Sequence, residues 1–340
     1  MENTDNNSLA ITLRPYRLSD AQDFLRYAGD ERVTQFTGWN TLKSKEQALS
    51  YIKEFCIPHC YCKSICFNDR SIGFLFIKPY DEDTEKCRAE VGYAVAAEYW
   101  GRGIATRALK MTIIDVFKQF TNLVRLQAKI LVENKGSQRV LEKLGFQKEG
   151  LLRKYTIHRA GNHLKFSPSM DSSRISLRPF ELSDADDFLK WASDDRVTRY
   201  LRWSTITSGE EALTYIEKVA IPHPWRQSIC LDDHCIGYVS VKPERGDDSC
   251  RAHVSYALSA DFWGKGIVTL ALKMAMSRVF KEFPFLVRIE ALVEVENKGS
   301  QRVLEKVGYV KEGLLRKYGY CKGEIRDMIM YSFLSTDKIK

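Results

Sequence analysis

The sequence predicts two tandem domains of mixed α/β class, each with a mostly antiparallel sheet flanked by helices. The first observation is an internal repeat: Leu13-Arg14-Pro15 recurs as Leu177-Arg178-Pro179, 164 residues later. Residues 133–155 and 296–318 are identical at 20 of 23 positions. A period this long indicates duplication of a whole domain, and each copy is long enough to bury its own core. We expect domains at residues 9–166 and 174–336, joined by a linker at 167–173.

The second observation is the order of strand-like and helix-like segments, which is the same in both copies. In the first part of the first copy, the pattern predicts a strand over Ile11–Tyr16 and a helix that Ser19 and Gln22 cap and that ends near Ala28. It then predicts a helix over Lys45–Phe55 and strands over Ser64–Phe67, Ile72–Lys78 and Arg88–Val95. The second part predicts a helix to about Phe120, a strand over Val124–Val132, a helix from Asn134 to Gly145 and a strand from Phe146. A strand meander followed by strand–helix–strand–helix is typical of helices packed around a mixed sheet.

The third observation is a glycine-rich phrase, Trp100–Thr106 (Trp-Gly-Arg-Gly-Ile-Ala-Thr), that recurs as Trp263–Thr269 (Trp-Gly-Lys-Gly-Ile-Val-Thr). Each phrase follows an apolar strand and opens a helix, where backbone N–H groups and the helix dipole favour an anion. The phrases therefore predict phosphate-binding loops, with a plain strand-to-helix turn as the alternative. We expect Val268 to crowd the approach of a phosphate, because the first copy has the smaller Ala105 there.

Composition and charge exclude several classes of protein. The chain has 44% hydrophobic and 28% charged residues, as globular proteins do. No apolar run approaches the roughly 20 residues of a membrane helix, and the polar start of the chain does not resemble a signal or transit peptide. We expect a cytoplasmic protein that does not bind membranes, without excluding the nucleus. The net charge is +8, but no Lys/Arg stripe with interleaved aromatics favours nucleic acid as a partner.

One group of cysteines raises the question of a metal site: Cys56, Cys60, Cys62 and Cys66, with His59 among them. Zinc sites usually combine two separated pairs of ligands, and this spacing contains no second pair. The second copy retains only one of the four cysteines. We therefore expect reduced, partly buried thiols and no bound metal, and a redox role for this group stays open.

The loops, the later Asn-x-x-Ser segment and the Glu-Lys-x-Gly-Phe/Tyr segment resemble the GNAT N-acetyltransferase superfamily, and particularly its RimJ/RimL-like, ribosomal-protein N-acetyltransferase branch. The resemblance covers nearly all of each copy. It implies two acyl-CoA N-acyltransferase domains that bind acetyl-CoA without a metal and transfer acetyl directly to a primary amine of a protein, peptide or small molecule. The residues implied to contact acetyl-CoA are Val95, Trp100, Gly101, Arg102, Gly103, Ile104, Ala105, Thr106 and Asn134, and in the second copy Leu258, Trp263, Gly264, Lys265, Gly266, Ile267, Val268, Thr269 and Asn297. Helix capping is the alternative role of both asparagines.

Acetyl transfer needs a base for the amine and an acid for the departing thiolate. The resemblance implies Glu90 as the base and Ser137 as the acid, although a serine also suits the first turn of a helix. The corresponding residues of the second copy are His253 and Ser300. A histidine has an ordinary pKa of about 6.5 and is a suitable base at neutral pH, and a non-catalytic histidine is the alternative.

The two copies differ in how complete they are. The second copy ends in Gly323–Ser332, a segment similar to the closing strand of the family, whereas the first copy has Gly161–Pro168 followed by a polar linker. Because the first copy keeps the acidic residue Glu90, we expect it to be the catalytic copy and the second copy to support it. A non-catalytic acyl-CoA-binding or scaffold protein is the alternative function.

Overall fold

The computed structural model describes residues 10–155 and 174–340, and the chain divides into two compact units, residues 1–148 and 149–340. Residues 149–155, which the sequence analysis places in the first domain, group with the second unit. The predicted linker at 167–173 and the predicted end of the first domain lie outside the described residues. Both units have the predicted mixed α/β architecture, so the fold class is confirmed.

The first unit is built on a sheet with the strand order β1-β2-β3-β4-β5, antiparallel except for the parallel pair β4–β5. Its strands are β1 (Ile11–Arg14), β2 (Cys62–Phe67), β3 (Arg70–Pro79), β4 (Arg88–Val95) and β5 (Arg125–Gln127). Its helices are α1 (Ala21–Ala28), α2 (Glu31–Thr34), α3 (Lys45–Tyr51), α4 (Ile104–Gln119) and α5 (Lys135–Lys143). A π-helical turn, Ile52–Cys56, continues α3.

The second unit repeats this arrangement and adds a long hairpin. Its strands are β6 (Ile175–Pro179), β7 (Arg226–Leu231), β8 (His234–Pro243), β9 (Arg251–Leu258), β10 (Arg288–Glu294), β11 (Val310–Cys321) and β12 (Glu324–Leu334). Its helices are α6 (Ala185–Ala192), α7 (Asp195–Thr198), α8 (Gly209–Tyr215), α9 (Ile267–Glu282) and α10 (Lys298–Val307). The strand order is β11-β12-β10-β9-β8-β7-β6, so β12 is the closing strand predicted at Gly323–Ser332.

The sheet of each unit separates two helical layers. In the first unit, Val91 and Val95 of β4 lie in a core with α4 and α5, whereas Ala94 lies in a second core with α1 and α3. Because side chains alternate along a strand, Glu90 belongs to the face that carries α1 and α3. In the second unit, Ala257 of β9 packs with α6 and α8, which places His253 on the equivalent face.

Three predicted elements of the first copy differ from the structure. The first helix does not begin at a cap by Ser19: a 3-10 turn, Leu18–Asp20, precedes it, and within that turn the Asp20 carboxylate accepts a hydrogen bond from the backbone N–H of Arg17 at 2.8 Å. The strand predicted over Val124–Val132 is only the three residues of β5. The strand predicted from Phe146 is not formed in the described part of the first copy.

The differences at β5 and Phe146 have one physical cause, which the second unit makes visible. There β10 is seven residues long and pairs along its whole length with β12, which in turn pairs with β11. Among the described residues, β5 pairs only with β4. A strand with one partner loses the hydrogen bonds that would extend it, so apolar alternation alone overestimates its length.

Residues 149–155 lie against β11 within the second unit. Gly150 forms an antiparallel bridge with Gly313, and a Cβ on either glycine would overlap the backbone opposite. The Arg153 side chain donates to the Glu312 carboxylate at 3.2 Å and to the Ser332 hydroxyl at 2.8 Å. These contacts explain why the segment belongs to the second unit.

Candidate active site

The two parallel strands of each unit separate next to the predicted base. In the first unit, β4 and β5 pair over three residues that end at Glu90 and Gln127, although β4 continues to Val95. In the second unit, the parallel pairing of β9 with β10 also ends after three residues, at His253 and Glu290. Each sheet therefore opens at the predicted catalytic position and exposes backbone donors and acceptors along one strand edge.

The glycine-rich loop of the first unit lies at the end of this opening. The indole N–H of Trp100 donates to the carbonyl of Val95 at 2.7 Å, which fixes the loop to the end of β4. Gly101 and Gly103 have φ angles of 76° and 72°, a conformation that side-chain-bearing residues rarely adopt. Helix α4 begins at Ile104, and its first backbone N–H groups have no acceptor within the helix, as an anion site requires.

The second unit reproduces this loop closely. The indole of Trp263 donates to the carbonyl of Leu258 at 2.8 Å, and Gly264 and Gly266 have φ angles of 76° and 79°. Helix α9 begins at Ile267 with sixteen residues, as α4 has. The backbone geometry for holding a phosphate is therefore present in both units.

The remaining loop side chains add charge or pack inward. Arg102 and Lys265 are exposed, beside aromatic rings of their own loops, and each provides a positive charge near the helix N-terminus. Val268 is half-buried against the core of the second unit, as Ala105 is in the first. The Val268 side chain contributes to the core and the glycine angles of its loop are retained, and crowding of a bound phosphate by Val268 stays a prediction.

Asn134 and Asn297 both cap the helix that follows the opening. The Oδ1 of Asn134 accepts the backbone N–H of Ser137 at 3.0 Å, and Asn297 binds Ser300 in the same way at 3.1 Å. The capping interaction uses only the amide oxygen, and the amide NH₂ has two donors of its own. Capping is therefore chemically compatible with donation to a ligand in the opening. Ser137 and Ser300 are half-buried in the first turns of α5 and α10.

A tyrosine that the sequence analysis did not select connects each central strand to this helix. The hydroxyl of Tyr93 donates to the backbone carbonyl of Ser137 at 3.4 Å, and Tyr256 donates to Ser300 at 3.2 Å. Burial raises the pKa of both phenols, so they stay protonated at neutral pH. One sequence signal could have identified these tyrosines: both copies have a Tyr-Ala pair that begins three residues after the predicted base.

Glu90 is held by two groups from neighbouring elements. Its Oε2 accepts the Tyr80 hydroxyl at 2.9 Å and lies 2.9 Å from the ammonium of Lys129. The Tyr80 hydroxyl in turn accepts the side-chain amide of Gln127 at 3.0 Å. About a quarter of the Glu90 side chain is exposed, so this positioned carboxylate is still accessible to solvent.

His253 has carboxylates at the positions that Tyr80 and Gln127 occupy in the first unit: Glu244 directly follows β8, and Glu290 is the β10 residue paired with His253. Its Nε2 lies 3.0 Å from Oε1 of Glu244 and 3.8 Å from Oε2 of the buried Glu290. Hydrogen bonding to the imidazole holds the pKa of the Glu244 carboxyl below its ordinary value. A third of the His253 side chain is exposed, so the imidazole is also accessible. The sequence analysis did not identify Glu244, because it lies nine residues from His253 and outside β9.

The cysteine group has no arrangement suited to a metal. Within residues 10–155 and 174–340, no cluster of three or more His, Cys, Asp or Glu side chains could hold an ion. Cys60 is exposed, and Cys56, Cys62 and Cys66 are buried. A hydrogen bond with Cys62, together with burial, raises the pKa of the Cys56 thiol far above its ordinary value.

Within residues 10–155 and 174–340, no helix is both long and apolar enough to cross a membrane.

Comparison with known proteins identifies the repeated domain. Residues 10–147 and 174–310 each match the family described as "Acetyltransferase (GNAT) domain". The chain is 33% identical over 175 residues to "Uncharacterized N-acetyltransferase p20" of Bacillus licheniformis, a match that covers 49% of this chain and 96% of that protein. It is 32% identical over 176 residues to "Putative ribosomal N-acetyltransferase YdaF" of Bacillus subtilis (strain 168), which covers 49% of this chain and 94% of that protein.

Solved structures resemble one copy of the repeat. A crystal structure of a GNAT-family acetyltransferase from Bacillus anthracis aligns with a TM-score of 0.44 and 23% identity, over 48% of this chain and 97% of that one. Each of the two Bacillus N-acetyltransferases is matched over nearly its whole length by about half of this chain. The chain is therefore about twice as long as these relatives, as its internal repeat requires.

Proposed function

Since this chain belongs to the GNAT acetyltransferase family and is an acyltransferase, we propose that it transfers acetyl from acetyl-CoA directly to a primary amine, with the first unit as the principal catalytic centre. One observation carries the proposal. The parallel strands β4 and β5 separate at Glu90, so that a positioned carboxylate lies where the sheet opens toward the glycine loop. This arrangement brings a base and an anion-binding helix N-terminus to one opening.

The cosubstrate fits this opening through three kinds of contact. The pyrophosphate of acetyl-CoA would bind the backbone N–H groups after Gly103, with Arg102 adding charge. The amide-containing pantetheine arm would lie along the free edge of β4 beyond Glu90, where backbone groups and the amide NH₂ of Asn134 can hydrogen-bond to it. The thioester would then lie near the vertex of the opening, close to Glu90.

The transfer requires two proton movements that this chain's residues can perform. The Glu90 carboxylate accepts the proton of the attacking amine, directly or through one water molecule. The C–N bond forms as the C–S bond breaks, and the Ser137 hydroxyl at the first turn of α5 passes a proton to the CoA thiolate as it takes one from solvent. Tyr80 and Lys129 position the carboxylate, and Tyr93 keeps α5 next to β4.

An amine of a protein or peptide is the acceptor we favour. The support is the name of the Bacillus subtilis relative, a ribosomal N-acetyltransferase, which is 32% identical to this chain. Lysine side chains and small amines belong to the same chemical class and remain arms of the test. A scaffold protein that only binds acyl-CoA would bind acetyl-CoA without releasing its thiol.

The test is a thiol-release assay on the full-length chain with acetyl-CoA and a panel of peptides, free lysine and polyamines. In a His253→Gln background, which removes the predicted base of the second unit, we expect Glu90→Gln to lower kcat about 10²-fold or more while acetyl-CoA affinity, measured by calorimetry, stays within about twofold. Glu142→Gln, which neutralises an exposed carboxylate of the same unit, is the matched control and should retain full turnover. Full turnover of Glu90→Gln on every acceptor would show that the carboxylate is structural.

A further inference from the structure

The side chains beside the two predicted bases differ in polarity in a coordinated way. In the first unit, Gly92 lies two residues after Glu90 on the same face of β4 and is paired with Phe76 of β3. A Cβ on Gly92 would overlap the Phe76 ring, so the ring lies directly over the glycine. The rings of Phe55 and His59 lie 6.2 Å and 5.9 Å from that of Phe76. The surface beside Glu90, which an amine must approach to give up its proton to that carboxylate, is therefore aromatic.

Two serines occupy the equivalent positions in the second unit. Ser255 replaces the glycine and Ser240 replaces the phenylalanine, and their hydroxyl oxygens lie 2.8 Å apart. The hydroxyl of Tyr238 lies 3.5 Å from that of Ser255. The loss of a large ring and the gain of a side chain at the glycine compensate each other sterically. Ser255 is thus the exposed half of a matched pair whose other half, Ser240, is buried, and it makes the surface beside His253 polar.

The base of the second unit is also supported by its surroundings. Glu244 binds Nε2 of His253 at 3.0 Å and balances the charge that the imidazole acquires when it takes up a proton. A carboxylate that orients a histidine and stabilises its protonated form is a recurrent element of general-base catalysis. The substitution of glutamate by histidine is therefore accompanied by a new partner directly after β8, the strand next to β9.

We propose that the second unit is a separate acetyl-transfer centre whose acceptor is a hydroxyl-bearing amine, whereas the first unit acetylates an amine next to an apolar group. This inference rests on the proposed function. In the second unit the amine attacks the acetyl carbonyl, the C–N bond forms and the C–S bond breaks. His253 takes the amine proton, and the Ser300 hydroxyl passes a proton to the CoA thiolate as it takes one from solvent. The exposed hydroxyl of Ser255, next to the buried hydroxyl of Ser240, hydrogen-bonds the polar group of the acceptor.

The experiment separates the two centres in the full-length chain. Glu90→Gln leaves the second centre intact and His253→Gln leaves the first. Both variants are assayed for thiol release with two tripeptides that have free α-amines and differ only in an N-terminal serine or phenylalanine. We expect kcat/KM to favour the serine peptide about tenfold or more in Glu90→Gln and the phenylalanine peptide in His253→Gln, the scale at which a single pocket group discriminates.

Exchange of the paired residues provides the control. Phe76→Ser with Gly92→Ser in the His253→Gln background should move preference toward the serine peptide. The reverse pair, Ser240→Phe with Ser255→Gly in the Glu90→Gln background, should move it toward phenylalanine. Near-ultraviolet circular dichroism checks the packing of each variant, and two independent exchanges protect the test from one that misfolds.

The outcomes distinguish this inference from the proposed function. An active wild-type chain whose two single variants have the same peptide ratio overturns the second acceptor class alone. Loss of all activity in Glu90→Gln, with both peptides, overturns the second centre in the same way. A wild-type chain that releases no thiol from acetyl-CoA with either peptide, or with any acceptor of the panel, overturns the proposed function and this inference together.

Discussion

A buried ion pair in the second unit provides a prediction with a built-in control. Glu312 is almost fully buried and accepts hydrogen bonds from Arg288 at 2.6 Å and 2.9 Å, and the Arg288 side chain is completely inaccessible to solvent. Glu312→Gln would leave that guanidinium buried without one of its two carboxylates. Removing one member of a buried pair costs about 3–5 kcal/mol, and the remaining bond to Glu290 at 2.7 Å favours the lower end. We expect the free energy of unfolding of the second unit to fall by about 3 kcal/mol.

The repeat provides the control at the equivalent position, Glu149. Its partner Arg316 lies 3.3 Å away and is half exposed, so Glu149→Gln should cost less than about 1 kcal/mol. Both variants are compared by urea denaturation of the full-length chain, with hydrogen exchange of β12 assigning the transition to the second unit. Equal losses in the two variants would refute the argument from burial.

The same pair also makes a prediction about pH. Burial alone would raise the pKa of the Glu312 carboxyl, but the hydrogen bonds from Arg288 and Ser332 outweigh it and hold the pKa below its ordinary value. The contribution of Glu312 to stability is therefore present above the pKa of an unfolded glutamate and is lost as the pH falls through the lower folded value. The Glu312→Gln variant should lack this part of the acid dependence.

Two further predictions concern the glycine loop and a partly buried histidine. In a Gly266→Val background that disables the second loop, Gly103→Val should weaken acetyl-CoA binding by about 1–3 kcal/mol in calorimetry, because the helix N–H groups lose their approach to the anion. Gly145→Val, which carries a comparable φ of 83° outside the loop, should leave that affinity unchanged. Burial, with the nearby charge of Arg226, lowers the pKa of His223 to about 4. As the pH falls, His223 takes up a proton in the unfolded chain before it does so in the folded chain. The free energy of unfolding should therefore fall by about 1–2 kcal/mol as the pH is lowered from 6.5 to 4, allowing for solvent screening of a partly exposed group. His223→Gln should remove that loss in urea titrations at the two pH values, and an unchanged loss would assign it to other groups.

Local and periodic features of the sequence were sufficient for the fold class and for the glycine loops. The duplication is visible as sequence identity at a nearly constant offset. The glycines of each loop adopt positive φ angles, which glycine allows and most other residues do not. The helix caps at Asn134 and Asn297 are also local, since each joins residues three positions apart. Interactions of this range are read directly from a chain, because few alternatives compete within one turn.

Tertiary structure alone decided the surroundings of the two bases. Tyr80 and Lys129 reach Glu90 from ten and thirty-nine residues away, and Glu244 reaches His253 from outside its strand. Comparison of the two copies identified His253 as the counterpart of Glu90, but it did not show which residues contact it.

The register of β8 against β9 pairs Ser255 with Ser240, and the register of β3 against β4 pairs Gly92 with Phe76. Side chains on neighbouring strands meet only through that register, which depends on turns and on the pairing of the whole sheet. Residues 149–155 show the same limit of the sequence. Their place in the repeat puts them with the first copy, whereas the bridge from Gly150 to Gly313, which only the folded chain forms, groups them with the second unit.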